Sequence, residues 1–201
     1  MKKICFLSAV FALLFLAQLA VPLHMTYESE CALSTGEVFR FKCRFYDPKD
    51  IFRGNYLQLR LEDLPVEYVG GIEKIDKKAD GNIFFSKNDD LYVSLERNEK
   101  NEAKIVTYYS EKPVELNHLK VEYAYYNREK NKIFVKNFGF EKYFVNEKDA
   151  PYAEKVLEKF DRNDDVYLVV SIKNGRYTVQ DILMNGKSIR DEIEYEKEHA
   201  Q

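Results

Sequence analysis

The chain has 201 residues, with 31 Lys and Arg against 34 Asp and Glu, a formal net charge of -3 and a pI near 5.8. That balance offers no basic excess to neutralise phosphates, so general nucleic-acid binding is excluded. The length allows one domain with appendages or two small ones; 15 Tyr and 14 Phe, many alternating with charged residues and unaccompanied by Trp, favour sheets with one wet face.

The first element sets the compartment. Lys2 and Lys3 precede an apolar run from Ile4 to Leu23, broken only by Ser8, Gln18 and Pro22. As a helix, such a run matches the hydrocarbon core of about 30 Å. Residues 4–23 are therefore expected to lie in the bilayer, with the two lysines retained in the cytoplasm and the remainder outside. A cleaved signal peptide is the alternative, and it requires small residues one and three positions before the cut. A cut after Ala20 puts Gln18 at the second of these positions, and a cut after Ala17 puts Phe15 there. On either reading the body of the protein is extracytoplasmic, and the expected organisation is an anchor over 1–24, a helical stalk over 25–36, a β-rich domain over 37–195 and a tail over 196–201.

Cys5 lies in the apolar run as a small filler. Cys31 and Cys43 lie beyond it, where an oxidising compartment permits a disulfide between them. No CxxC is present, and His24, His118 and His199 are too scattered for a zinc site. Neither a metal nor a cofactor is expected.

The stalk is expected to end at Gly36, in the left-handed conformation that caps many helices. "EVFRFKCRF" then alternates, with Phe39, Phe41, Cys43 and Phe45 on the apolar side, as a half-buried strand does. Asp47-Pro48 opens a type I turn. Gly54 frees the backbone before a strand from Tyr56 to Glu62, whose Leu57, Leu59 and Leu61 share one face. Short strands with polar turns follow: "PVEYVGGIEKI", "GNIFFS", "DLYVSLER", "AKIVTYYS", "LKVEYAYY" and "KIFVKNFGF". This spacing fits a mainly β, antiparallel sandwich or barrel rather than a βαβ array. Only "DAPYAEKVLEKF" has helical periodicity. Asp149 is placed to cap it, Pro151 lies in its first turn, and Ala153, Val156, Leu157 and Phe160 form the face that lies on a sheet. "VYLVVSIKNGRYTVQDIL" reads as a hairpin on Asn174-Gly175, and Asn185-Gly186 marks another turn. The charged end "RDEIEYEKEHAQ" reads as a solvated tail.

An internal echo joins "NDDLYVSLERNEKNEAKIV" to "NDDVYLVVSIKNGRYTVQDI". If it records duplication of a β unit, the domain has two similar lobes.

"RGNYLQLRL", preceded by Asp47-Pro48, resembles the motif of the GDYXXLXY family, small membrane-anchored bacterial proteins; Gly54, Tyr56 and Leu59 supply the motif positions. The likeness extends to the apolar leader, "STGEVFRF", "FGFEKYFVNE" before a short helix, and the closing Asn-Gly hairpin. Asn55 stands where the family name has Asp, and Leu61 where it has the last Tyr. The resemblance implies an anchored β-rich architecture and a multi-spanning membrane protein as partner, and it implies no reaction. Asn55 keeps the size and turn-forming ability of Asp but cannot act as a general acid or base.

Two functions from different classes follow. The first is an accessory or binding protein for a multi-spanning membrane partner or an envelope component. The second is a hydrolase similar to type I signal peptidases, with Ser29 or Ser34 as nucleophile and Lys42 as base. Among single residues, Arg53 is suited to an anion or to an ion pair with Asp47 or Asp50, and Tyr56 to a ligand or to covering a neighbouring strand. Glu141, Tyr143 and Glu147 share a strand face, as an acidic pocket or as a solvated surface.

Overall fold

The computed structural model describes residues 2–45, 56–69, 76–77, 83–86, 90–114, 117–160 and 164–199. The described elements are mainly antiparallel strands with three helices. In chain order they are α1 (Lys2–Thr35), β1 (Glu37–Phe45), β2 (Tyr56–Leu61), β3 (Leu64–Glu67), β4 (Asp76–Lys77), β5 (Ile83–Ser86), β6 (Tyr92–Arg97) and β7 (Ala103–Tyr109). They continue with β8 (His118–Lys120), β9 (Tyr123–Asn127), β10 (Lys132–Asn137), β11 (Lys142–Phe144), α2 (Ala150–Glu158), β12 (Val166–Lys173), β13 (Arg176–Met184), β14 (Lys187–Ser188) and α3 (Ile189–His199).

The alternation read from sequence holds in β1 and β2. Phe39, Phe41 and Cys43 are buried with Leu57, Leu59 and Leu61, while Arg40, Arg44 and Arg60 are exposed. Both Asn-Gly turns are in the conformation expected of them. Asn174 and Gly175 have φ of 49° and 82°, and Asn185 and Gly186 have 49° and 83°, so both central residues are left-handed as a type I′ turn demands.

One sheet runs β11-β2-β1-β12-β13-β14, a second β3-β10-β9-β5-β4, and a third β7-β6-β8. Only Val121 and Glu122 separate β8 from β9, so the stretch expected as one strand is bent between two sheets. Followed through that bend, the row β3-β10-β9/β8-β6-β7 has the same build as β11-β2-β1-β12-β13. Details agree as well. Lys42 of β1 lies opposite Tyr167 and pairs with Asp165 at 3.2 Å; Lys120 of β8 lies opposite Tyr92 and pairs with Asp90 at 3.1 Å. The β6–β7 register slips between Ser94 and Leu95, and the β12–β13 register slips between Val169 and Val170, the same step after the Asn-Asp-Asp tripeptide. Each row takes strands from both halves of the chain. The rows are joined where Tyr167 donates to Glu102 at 2.8 Å and where Arg97 pairs with Glu37 at 3.0 Å. That hydrogen bond to Glu102 is the main cause that pushes the Tyr167 hydroxyl up to about 12.

Several expectations are corrected. Gly36 is not left-handed; glycine is needed because a Cβ there would lie 2.2 Å from the Ala32 carbonyl oxygen and 2.5 Å from Ser171 Oγ. The segment read as a stalk is docked: Ser171 Oγ donates to the Ala32 carbonyl at 2.5 Å, Thr178 Oγ1 to the Ser29 carbonyl at 3.2 Å, and Arg176 pairs with Glu28 at 2.9 Å. Asp149 makes no side-chain cap to α2, because Lys197 of α3 holds its carboxylate at 3.0 Å. The charged end is a helix rather than a tail, with Ile189 and Ile193 buried and a Lys159–Glu196 ion pair tying α3 to the end of α2. α2 packs on α3, and its buried Ala153, Val156 and Leu157 join the core formed by the sheet strands, as the helical period predicts. Cys31 and Cys43 do not pair. Both are free, and burial pushes the Cys43 thiol up to about 12. Among the described residues, no helix is long and apolar enough to cross a membrane.

Candidate functional site

The motif positions separate into two kinds. Leu59 is 2% exposed and part of the core, and its backbone N–H donates to the Glu141 carbonyl at 2.8 Å. Tyr56 is half-buried at the start of β2, opposite Phe144 of β11, with their rings 5.8 Å apart and Lys142 Nζ 5.0 Å from the Tyr56 ring centre. Asp47, Pro48, Arg53, Gly54 and Asn55 lie outside the described residues.

Of the three residues read on the "FEKYFVNE" face, two are buried and one is not, and the two buried ones serve different contacts. Glu141 and Tyr143 are buried, whereas Glu147 is exposed beyond the end of β11. They form neither an acidic pocket nor a solvated face. The Glu141 carboxylate turns inward and accepts the Phe138 N–H at 2.7 Å and the Gly139 N–H at 3.0 Å, which holds the tight turn where Gly139 has φ of 91°. Burial raises the Glu141 carboxyl above its ordinary range, the backbone donors partly opposing it. The folded chain thus retains a proton that the unfolded chain has released. Stability from this group is greatest below the unfolded value and falls as pH rises through the folded one. In urea titrations between pH 4 and 7, E141Q is expected to flatten that decline; an unchanged slope would assign it to other groups.

Tyr143 points to the opposite end of the sheet, where α3 begins. Arg190 Nε donates to its hydroxyl oxygen at 3.0 Å, and Arg190 Nη2 donates to the Gln180 carbonyl at 2.6 Å. Asp181 accepts from Ser188 Oγ at 2.6 Å and from the Ile182 N–H at 2.8 Å. Ser188 in turn accepts the Arg190 N–H at 3.1 Å, which caps the first turn of α3. Burial raises the Tyr143 hydroxyl and Arg190 opposes the shift, so the phenol stays protonated and neutral.

These contacts bridge a seam between β11 and β13. Tyr177 donates to the Gly139 carbonyl at 3.2 Å, and its ring meets that of Phe140 edge-on at 5.0 Å. A cleft of about 500 Å³ opens there, lined by Phe140, Lys142, Tyr143, Phe144, Tyr177, Val179 and Arg190. Its floor rests on the core through Phe140, whose ring lies 5.0 Å from that of Phe41. Phe144, 73% exposed, stands at its rim. A cleft of similar size beside Arg44 and Arg60 has Arg44 already facing Glu62 at 3.5 Å. In the seam, Lys142 and Arg190 make no salt bridge among the described residues.

The serine–lysine arrangement is not assembled. Ser34 Oγ donates to the Glu30 carbonyl of its own helix at 2.8 Å, and Ser29 is exposed on α1. Lys42 lies five residues along β1 from Glu37, about 17 Å at strand rise. Its hydrogen bond to Asp165 raises its pKa, opposite to what a general base needs.

Phe144, Tyr177 and Arg190 escaped the sequence reading. An exposed Phe inside "KYF" was the one local signal, and Arg190 reaches Tyr143 from 47 positions away, a separation that no motif spans. No curated protein and no solved structure matches the chain. The sequence model described as GDYXXLXY protein matches residues 18–182, a span that includes the motif strand and the cleft residues from Phe140 to Val179 but not Arg190, and the chain therefore belongs to the GDYXXLXY family.

Proposed function

We propose that the chain is a membrane-tethered, extracytoplasmic β-rich binding protein that presents the β11–β13 face to a multi-spanning membrane protein or another envelope component. The observation that carries this reading is the build of α1. The helix is continuous from Lys2 to Thr35 and is held to the domain through its last turns, while Phe11, Leu13, Phe15, Leu16 and Leu23 upstream are exposed at 60% or more. Exposed apolar side chains on that scale call for a covering surface. The sequence run Ile4–Leu23, with Lys2 and Lys3 before it, suits a bilayer. We read the two equivalent strand rows as a duplicated β unit whose lobes differ at one seam. Between β3 and β7 the seam is closed by Tyr68, stacked on Tyr108 at 6.1 Å and beside Tyr126 at 4.7 Å. Between β11 and β13 it is open and cationic, which makes that face the binding face.

Topology is tested with an epitope at the C-terminus of the full chain. Protease added to spheroplasts should remove it, and sealed inverted vesicles should protect it; the reverse pattern overturns the reading. Deleting residues 2–23 should move the protein from the carbonate-resistant pellet to the supernatant. A photo-crosslinking residue at Phe144 should capture a membrane protein that the same residue at Lys100 does not. Equal capture at both positions removes the support for a binding face.

A further inference from the structure

We propose that the cleft between β11 and β13 binds a monoanionic carboxylate carried on a flat apolar group, as at the end of an extended peptide with a C-terminal aromatic residue. The proposal rests on the binding reading above and names the chemistry that face takes.

Charge sets the anion. Lys142 and Arg190 line the cleft without a salt bridge among the described residues, and the Asp181 carboxylate, which accepts from Ser188 and the Ile182 N–H, acts on Arg190 through its charge. The Glu122 carboxylate lies beside Gly139 at the edge of the same cleft, so the field of the two cations is partly offset and a monoanion suits it better than a dianion. Glu141 does not count against it, because its carboxylate is turned to the Phe138 and Gly139 amides. Among the described residues, Arg190 spends Nε on Tyr143 and Nη2 on Gln180, leaving Nη1 as a donor, and Lys142 Nζ lies over the Tyr56 ring. A guanidinium and an ammonium flanking one anion give charge-assisted hydrogen bonds in a partly dry site.

Shape sets the body. Phe140 forms the floor, Tyr177 and Val179 one wall and Phe144 the rim, which suits an aromatic side chain rather than a bare ion. The corresponding seam of the other row, filled by Tyr68 and Tyr108, shows that chain-borne aromatics occupy this position when it is closed.

The test is calorimetry on the full chain in detergent, with N-acetyl-glycyl-phenylalanine, its C-terminal amide, phenylacetate and phenyl phosphate as probes. The free carboxylate should bind at least tenfold more tightly than the amide, weaken with added salt, and lose about tenfold with K142Q and with R190Q. Because Arg190 also holds Tyr143, R190K, which keeps the charge, should bind more tightly than R190Q. Stronger binding by the peptide than by phenylacetate indicates a peptide terminus; equality indicates a free aromatic acid and still supports the site. Equal affinity for carboxylate and amide, indifference to both Gln variants, or tighter binding of phenyl phosphate overturns the proposal. Probe binding without crosslinking at Phe144 removes the membrane partner and keeps the site. Crosslinking without probe binding does the opposite.

Discussion

Replacing Phe41 with alanine should lower the unfolding free energy of the full chain by about 4 kcal/mol, seen as a fall in urea midpoint at constant slope. Phe41 is 1% exposed on β1, opposite Leu168, and its ring meets those of Phe138 at 5.7 Å and Phe140 at 5.0 Å, both edge-on. Truncation removes the transfer energy of a whole ring, leaves a void that the sheet cannot close, and forfeits two aromatic pairs. The effect should reach the cleft, since Phe140 is both its floor and a neighbour of Phe41. Carboxylate binding by F41A, measured well below its urea midpoint, should therefore weaken. F41L keeps most of the volume and should cost about 1.5 kcal/mol or less. A loss under about 1 kcal/mol for F41A would mean that the ring is not at the centre of the core.

The second large effect is expected at the corner between α1 and β1. Gly36 donates its N–H to the Ala32 carbonyl at 3.0 Å, and the same oxygen accepts Ser171 Oγ, so two hydrogen bonds converge where a methyl group has no room. G36A must displace backbone rather than a flexible side chain, with an expected cost of about 3 kcal/mol. It should also free residues 28–36 for proteolysis, because the docking of Ala32 on Ser171 is lost. G186A supplies the comparison. Nothing lies within 4 Å of a Cβ there, so only the left-handed φ of 83° is penalised, at about 1 kcal/mol. Equal stability of G36A and the parent would show that α1 leaves the sheet at this corner.

Legibility followed the range of the interaction. The faces of β1 and β2 were readable because side chains in a strand alternate, and both Asn-Gly turns because two successive positive φ angles leave few residue choices. The period of α2 was readable for the same reason, but the role of Asp149 was not: Lys197, 48 positions away, takes the carboxylate that local rules assign to the cap. α3 was missed because Ile189 and Ile193 are sparse among charges, and their burial exists only once the sheet and α2 supply a surface. Gly36 was identified as special for the wrong reason; a close approach by Ser171 leaves no local trace. Of the cleft, Tyr143 was singled out, and its partner Arg190 was not.

The amino-acid order by itself determined which residues face inward, where the chain turns and how the charge is balanced, since each of these depends on neighbours a few positions apart. It did not determine which strands lie side by side. β1 pairs with β12 and β2 with β11, whereas β3 pairs with β10 and β6 with β8, so each row is completed by strands from the other half of the chain. Period-two alternation is the same for every partner, and only the closing of the long loops and the joint packing of Phe39, Phe41, Phe138 and Phe140 choose among them. The cleft is a product of that choice, because its cations sit on β11 and α3 and meet only when the seam between the outer strands is drawn together.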